Sequence, residues 1–143
     1  MNIVVIHILS VVAFMVVSFA AQALSHFVIN QEHFSSIAHH RQEPIIPLGL
    51  AAMVIQGLLI SITLRAWRSG DIVLLDGLIV SLVFGVFLSA YISLVEPAKY
   101  TIPDIAAWMR VETLVSTIQF VLFGLALGLI HSKLGATMQT ATQ

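Results

Sequence analysis

Four of the six histidines in this chain, His26, His33, His39 and His40, fall between positions 26 and 40, and Glu32 and Glu43 lie close by. Imidazole and carboxylate are ligands for Zn or Fe, so His33, His39 and His40 are the candidate metal ligands. Their spacing fixes no site. There is no HExxH pair, and His33 and His39 do not stand one helical turn apart. A solvated polar loop is the plainer expectation. A second set could move a proton or bind a small polar ligand. Gln22 and His26 end one apolar stretch, while Glu112, Ser116 and Gln119 recur at i, i+4, i+7 on another, with Glu96 nearby. A histidine beside carboxylates can relay protons or hold an ion. The competing reading is structural, because Gln and Ser in membrane helices hydrogen-bond between helices. His7 and His131 sit near helix ends on one side and could in principle face each other across a haem. No Ser-His-Asp set, P-loop or dinucleotide fingerprint is present, so no catalytic residue is named and no cofactor is expected.

The elements that hold these residues follow from composition. The chain has 143 residues, 59% apolar and only 9% charged, with net charge −1 and no cysteine. A soluble domain carries about 25% charged residues. So few charges cannot cover a soluble surface of this size, which excludes a free cytosolic enzyme and a disordered chain. The absence of a basic field excludes nucleic acid as a partner. Without cysteine there is no disulfide and no thiolate chemistry.

A membrane-spanning helix needs about 20 mostly apolar residues. Four stretches qualify, at about 3–29, 45–64, 72–95 and 111–130. They are too long for strands, and lipid forces the backbone to satisfy itself. The expected fold is an all-α, polytopic four-helix bundle, a single domain over 1–134, with the lipid bilayer as its first partner. Ala21-Gln22-Ala23 resembles a signal-peptide cleavage site. The apolar run exceeds a signal core and lacks an early Lys or Arg, so a retained span is expected. The Thr/Gln-rich segment 135–143 reads as a disordered tail. Asp104 is expected to cap a short surface helix through Trp108 and Met109.

Four spans put both termini on one side. Arg65 and Arg68 lie there, in a very short connection, while Glu32, Glu43, Glu96, Asp104 and Glu112 crowd the other side. Basic residues are tied at three a side, Arg65, Arg68 and Lys133 against Arg41, Lys99 and Arg110, and acids count for little in the positive-inside rule. The very short connection with Arg65 and Arg68, where the rule works best, tips both termini to the cytoplasm. Gly77, Ser81, Gly85, Ser89 and Ser93 recur every four residues, one narrow stripe of small side chains. Gly124 and Gly128 form a second pair at the same spacing. Such stripes let helices approach closely in lipid. The expected use is packing inside the bundle, and the alternative is a docking face for another chain.

Two segments carry a resemblance. One is Leu24-Ser25-His26-Phe27 followed, after the polar loop, by Pro47-Leu48-Gly49-Leu50. The other is Val95-Glu96-Pro97-Ala98-Lys99-Tyr100, with Pro103-Asp104, Trp108, Val111-Glu112 and Gln119-Phe120. Together they resemble a family of small four-helix bacterial inner-membrane proteins of uncharacterised function. The resemblance spans about residues 20–131. It implies a His closing the first helix and a Glu opening the last, positions held here by His26 and Glu112. It implies the four-span fold and no activity. The expected function is therefore non-enzymatic: an accessory or assembly subunit working with another membrane protein or with a second copy of itself. A small transporter or ion-binding bundle using His26 and Glu112 is the alternative, and a metal-dependent membrane enzyme using the His-rich loop is the next.

Overall fold

The computed structural model describes residues 2–37, 41 and 43–140, the last five of them by backbone alone. Every regular element among them is helical. α1 runs Ile3–Leu24 and continues through a π turn, Ser25–Ile29; the short α2 is Gln31–Ser35. α3 is Ile46–Trp67, and α4 is Leu74–Ala90 with a second π turn, Tyr91–Val95. α5 is Glu96–Lys99, and α6 is Ile105–Thr140. Four helical stretches are long and apolar enough to cross a membrane: Ile3–Ile29, Ile46–Trp67, Leu74–Lys99 and Ile105–Gly135. The chain is a polytopic membrane protein folded as an up-down-up-down bundle.

Local chemistry sets the helix ends. The Asn2 side chain accepts from the Val4 amide at 3.0 Å and starts α1. Pro47 sits in the first turn of α3, where its missing N–H costs nothing. Asp76 accepts from the Val73 amide at 2.9 Å and pairs with Arg68 at 3.1 Å, tying the start of α4 to the end of α3. Asp104 accepts from the Ala107 amide at 2.9 Å. That cap begins α6 itself. The expected short surface helix is thus the opening of the long last helix, which starts well before 111. Trp108 is accordingly buried, and its indole N–H donates to the Ile92 carbonyl at 3.0 Å. At the other end α6 is helical as far as Thr140, where an unstructured tail from 135 was expected; 141–143 lie outside the described residues.

Packing follows the small residues. A Cβ on Gly77 would fall on the Gly128 backbone, and one on Gly124 would lie 2.8 Å from the Leu78 Cα. A Cβ on Gly85 would lie 2.7 Å from Phe120 Cγ. The Ser81 hydroxyl donates to the Phe120 carbonyl at 2.6 Å, and the Ser93 and Thr113 hydroxyls are 3.2 Å apart. The Ser89 hydroxyl lies 3.5 Å from that of Ser93. The stripe is thus the α4–α6 seam, directed into the bundle along its length. α1 packs on the next face of α6, with Phe14 edge-on to Phe123 at 4.8 Å between ring centroids. α3 is held to α1 where Gly57 meets Phe14. Its first turns, 46–52, are exposed.

The seam sets a stability test. Gly77→Ala places a methyl against backbone that cannot yield, and overpacking of this kind costs about 1–3 kcal/mol. Gly49→Ala meets nothing within 4 Å and removes a helix-destabilising glycine. Unfolding in mixed detergent micelles should show a clear loss for Gly77→Ala and none for Gly49→Ala.

Candidate functional site

Besides the serines of the α4–α6 seam, two groups of polar residues lie where α1 meets α6. At the end that carries the chain termini, three helices meet around Ser61. Its hydroxyl lies 2.8 Å from His7 Nδ1 and 2.9 Å from His131 Nε2. Ser10 donates to the Ile6 carbonyl at 2.8 Å, so its oxygen can only accept from His131 Nε2, 3.3 Å away. Hydrogen-bond accounting therefore puts the proton of His131 on Nε2, and Ser61 in turn donates to His7. His131 Nδ1 is left buried with no hydrogen-bond partner. The Ser61 hydroxyl stands between the two imidazole nitrogens, where the iron of a haem would sit. His7 and His131 thus face each other, joined through the Ser61 hydroxyl.

At the opposite end, where the connections α1–α3 and α4–α6 lie, Gln119 joins α6 to α1. It donates to the Ser18 hydroxyl at 2.9 Å and accepts from Gln22 Nε2 at 3.0 Å. His26 Nδ1 donates to the Gln22 carbonyl at 3.0 Å, which leaves Nε2 as the acceptor of the neutral ring. The His26 ring stacks on Phe34 at 3.7 Å and 12°. Phe34 belongs to a buried aromatic and aliphatic cap with Ile37, Ile102 and Trp108. Between the two polar groups Phe14, Phe120 and Phe123 fill the bundle, so no continuous polar path joins them.

Among the expected site residues, the structure brings Gln22 and Gln119 together and places His26 one turn further along α1. Glu112 is buried on α6 with Glu96 close enough to act on its charge. No hydrogen bond or ion pair among the described residues joins His26 to Glu112. His26 stacks on Phe34 of α2, while Glu112 has Glu96 as its charged neighbour. No group of three or more His, Asp or Glu among the described residues is placed to hold a metal. His33 lies in the aromatic cap, its ring 6.2 Å from that of Trp108, and its Nε2 is buried without a hydrogen-bond partner. His39 and His40, the other two candidate ligands, lie outside the described residues.

The structure also contains a cleft that residue spacing does not foretell. It lies between the last turns of α1 and the first turns of α3, roofed by Gln31, Phe34, Ser35, Ile37, Arg41 and Pro44, and measures about 940 Å³. Gln22, His26, Gln31 and Arg41 supply polar groups, and Phe19, Leu50 and Met53 are among the apolar walls. Gly49 lines it, with no atom within 4 Å of where a Cβ would stand. The π turn beside it, closed by the Asn30 amide on the Ser25 carbonyl at 2.8 Å, belongs to a class that recurs at functional sites. The sequence carries no cue to that turn. Arg41 was legible only as one charge of a polar loop.

Comparison with protein-family models, with curated proteins and with solved structures finds no match.

The Gln22–Gln119 bond is open to a double-mutant cycle. Each of Gln22→Leu and Gln119→Leu should destabilise the bundle, and the double variant should cost less than the sum. Interhelical hydrogen bonds of this kind are worth about 0.6–1.7 kcal/mol. A coupling near zero in micelle unfolding would show that the two helices do not depend on it.

Proposed function

We propose that the chain is a non-enzymatic membrane protein that binds a small amphipathic molecule from the bilayer in the cleft between α1 and α3. The observation that carries this is the cleft itself. Its volume of about 940 Å³ lies at the upper end of the range of roughly 300–1,000 Å³ typical of ligand sites. A mostly apolar wall with a few polar groups is the usual design of such sites. Here those groups are held in place. Gln22 is fixed by Gln119, and His26 by the Gln22 carbonyl and the Phe34 ring. An occupant would meet amide and imidazole hydrogen-bonding groups beside an apolar bed.

Gly49 lines the cleft and a Cβ there would meet nothing within 4 Å, so Gly49→Phe adds a ring at the cleft wall. Mass spectrometry of protein released gently from its native membrane should find a bound small molecule on the wild type and none on Gly49→Phe, both with the same unfolding midpoint. Equal retention by both would overturn the reading.

The accessory-subunit reading has one observation of its own. The first turns of α3 are exposed, including Ile46, Leu48 and Leu50, and a neighbouring membrane protein would cover them. A stoichiometric second polypeptide in the same preparation would support it. The seam from Gly77 to Ser93 no longer does, since α6 occupies it.

The setting proposed for either reading is the bacterial inner membrane with both termini in the cytoplasm. Arg65 and Arg68 beside the short α3–α4 link support this, with Glu32, Glu43, Glu96 and Asp104 at the opposite end. The chain has no cysteine, so single substitutions report cleanly. In intact cells, Ser35→Cys should react with a membrane-impermeant maleimide and Gly70→Cys only after lysis. The reverse pattern would invert the topology.

A further inference from the structure

The charge distribution around the cleft goes a step beyond the proposed function and rests on it. Among the described residues Arg41 is the single Lys, Arg, Asp or Glu that lines the cleft. Glu32 and Glu43 belong to the same connection, yet neither lines the cleft. Among the described residues no carboxylate pairs with Arg41; the one ion pair is Arg68 with Asp76 at the far end of the bundle. A guanidinium never loses its charge. At the rim of an apolar cleft it calls for an anion, and its planar fork suits phosphate or carboxylate.

The apolar walls call for something else. Phe19, Leu50 and Met53 line the same space, and Gly49 leaves open room along α3. They sit on helices that span the bilayer, so a hydrocarbon chain can enter from the side without crossing water. The polar groups lie on the end turns of α1 and in the connection to α3, the level at which head groups gather. His26 Nε2, the free acceptor of the neutral ring, would take a hydrogen bond from a head-group hydroxyl. An anionic head and an apolar chain, joined in one molecule that arrives from the membrane, define the occupant.

We propose that the α1–α3 cleft is a site for an anionic membrane lipid, its head held at Arg41 and its chain laid over Gly49. A zwitterionic lipid offers Arg41 the same phosphate but brings a cation with it, and among the described residues no acidic side chain lines the cleft to receive that cation. The site should therefore discriminate by net head-group charge.

The test uses the full chain in nanodiscs of equal parts phosphatidylglycerol and phosphatidylcholine, with the lipid retained after release read by native mass spectrometry. The wild type should retain one phosphatidylglycerol in preference to phosphatidylcholine by about tenfold, about 1.4 kcal/mol of discrimination by head-group charge. Arg41→Gln, on an exposed loop position, should keep a lipid but lose the preference. Gly49→Phe should keep neither, and Gly49→Ala should behave as the wild type. Equal retention of the two lipids by the wild type, with loss in Gly49→Phe, would overturn the anionic assignment and leave the cleft reading standing. An unchanged preference in Arg41→Gln would overturn the role of Arg41. Retention by Gly49→Phe equal to the wild type would overturn the cleft reading and the lipid assignment together.

Discussion

The contact of α4 with α6 at backbone level is the constraint on which the rest of the bundle depends. In lipid no hydrophobic force draws helices together, because the surrounding chains are as apolar as leucine. Association rests on close packing and a few hydrogen bonds. Gly77 against Gly128, Gly124 against Leu78 and the Ser81 hydroxyl on the Phe120 carbonyl supply both along one line. This makes α6 the axis of the fold. Its next face receives α1 through Phe123, Gln119 and His131. α3 comes last. Its close contacts, Gly57 on Phe14 of α1 and Ser61 with His7 of α1 and His131 of α6, lie in the half of α3 nearest the chain termini. The other half has no small residue pressed against a neighbour. The cleft opens there as a consequence of that one-sided attachment.

The same order explains the division of the polar interior. Buried polar groups in lipid are expensive and have to find partners within the bundle. Each group forms where α1 and α6 meet, one around Ser61 and one around Gln119. Three phenylalanines, Phe14, Phe120 and Phe123, separate them. Each group includes hydrogen bonds that run between helices, His131 to Ser61 in one and Gln119 to Gln22 and Ser18 in the other, which is the structural use of Ser, Gln and His. Phe14, Phe120 and Phe123 pack together between the two groups. Chemistry at the loop end of the bundle is then chemistry of a side pocket, reached from the bilayer or from the surface.

Much of the fold is legible in the sequence because lipid imposes a length and a composition that can be counted. The four spans, the helix class and the small-residue stripe all follow from that constraint. The boundaries were less legible where polarity and helicity part company. Arg110 and Glu112 interrupt the apolar run, so the last span reads as starting at 111. The Asp104 cap fixes the actual start at Ile105. Thr and Gln near the end of the chain suggest a loop, yet a helix already formed propagates at little cost through such residues. The π turns leave no trace in spacing rules built on 3.6 residues.

The candidate site was legible as residues and illegible as geometry. Gln22 and Gln119 were singled out as polar groups at membrane depth, and they meet. His26 and Glu112 were singled out by the same argument, and they do not. The difference lies in what each finds first. The His26 Nδ1 proton is satisfied by the carbonyl of Gln22, four residues back on its own helix, and its ring by Phe34, eight residues ahead. Both partners are local, so no distant helix is needed to bury it. That local commitment turns the imidazole away from the bundle axis and makes it part of a wall. A cleft is space left by the packing of others, and no residue encodes it alone. It depends on α3 standing off from α1, on the roof made by the connection between them, and on a glycine whose missing side chain keeps the floor open.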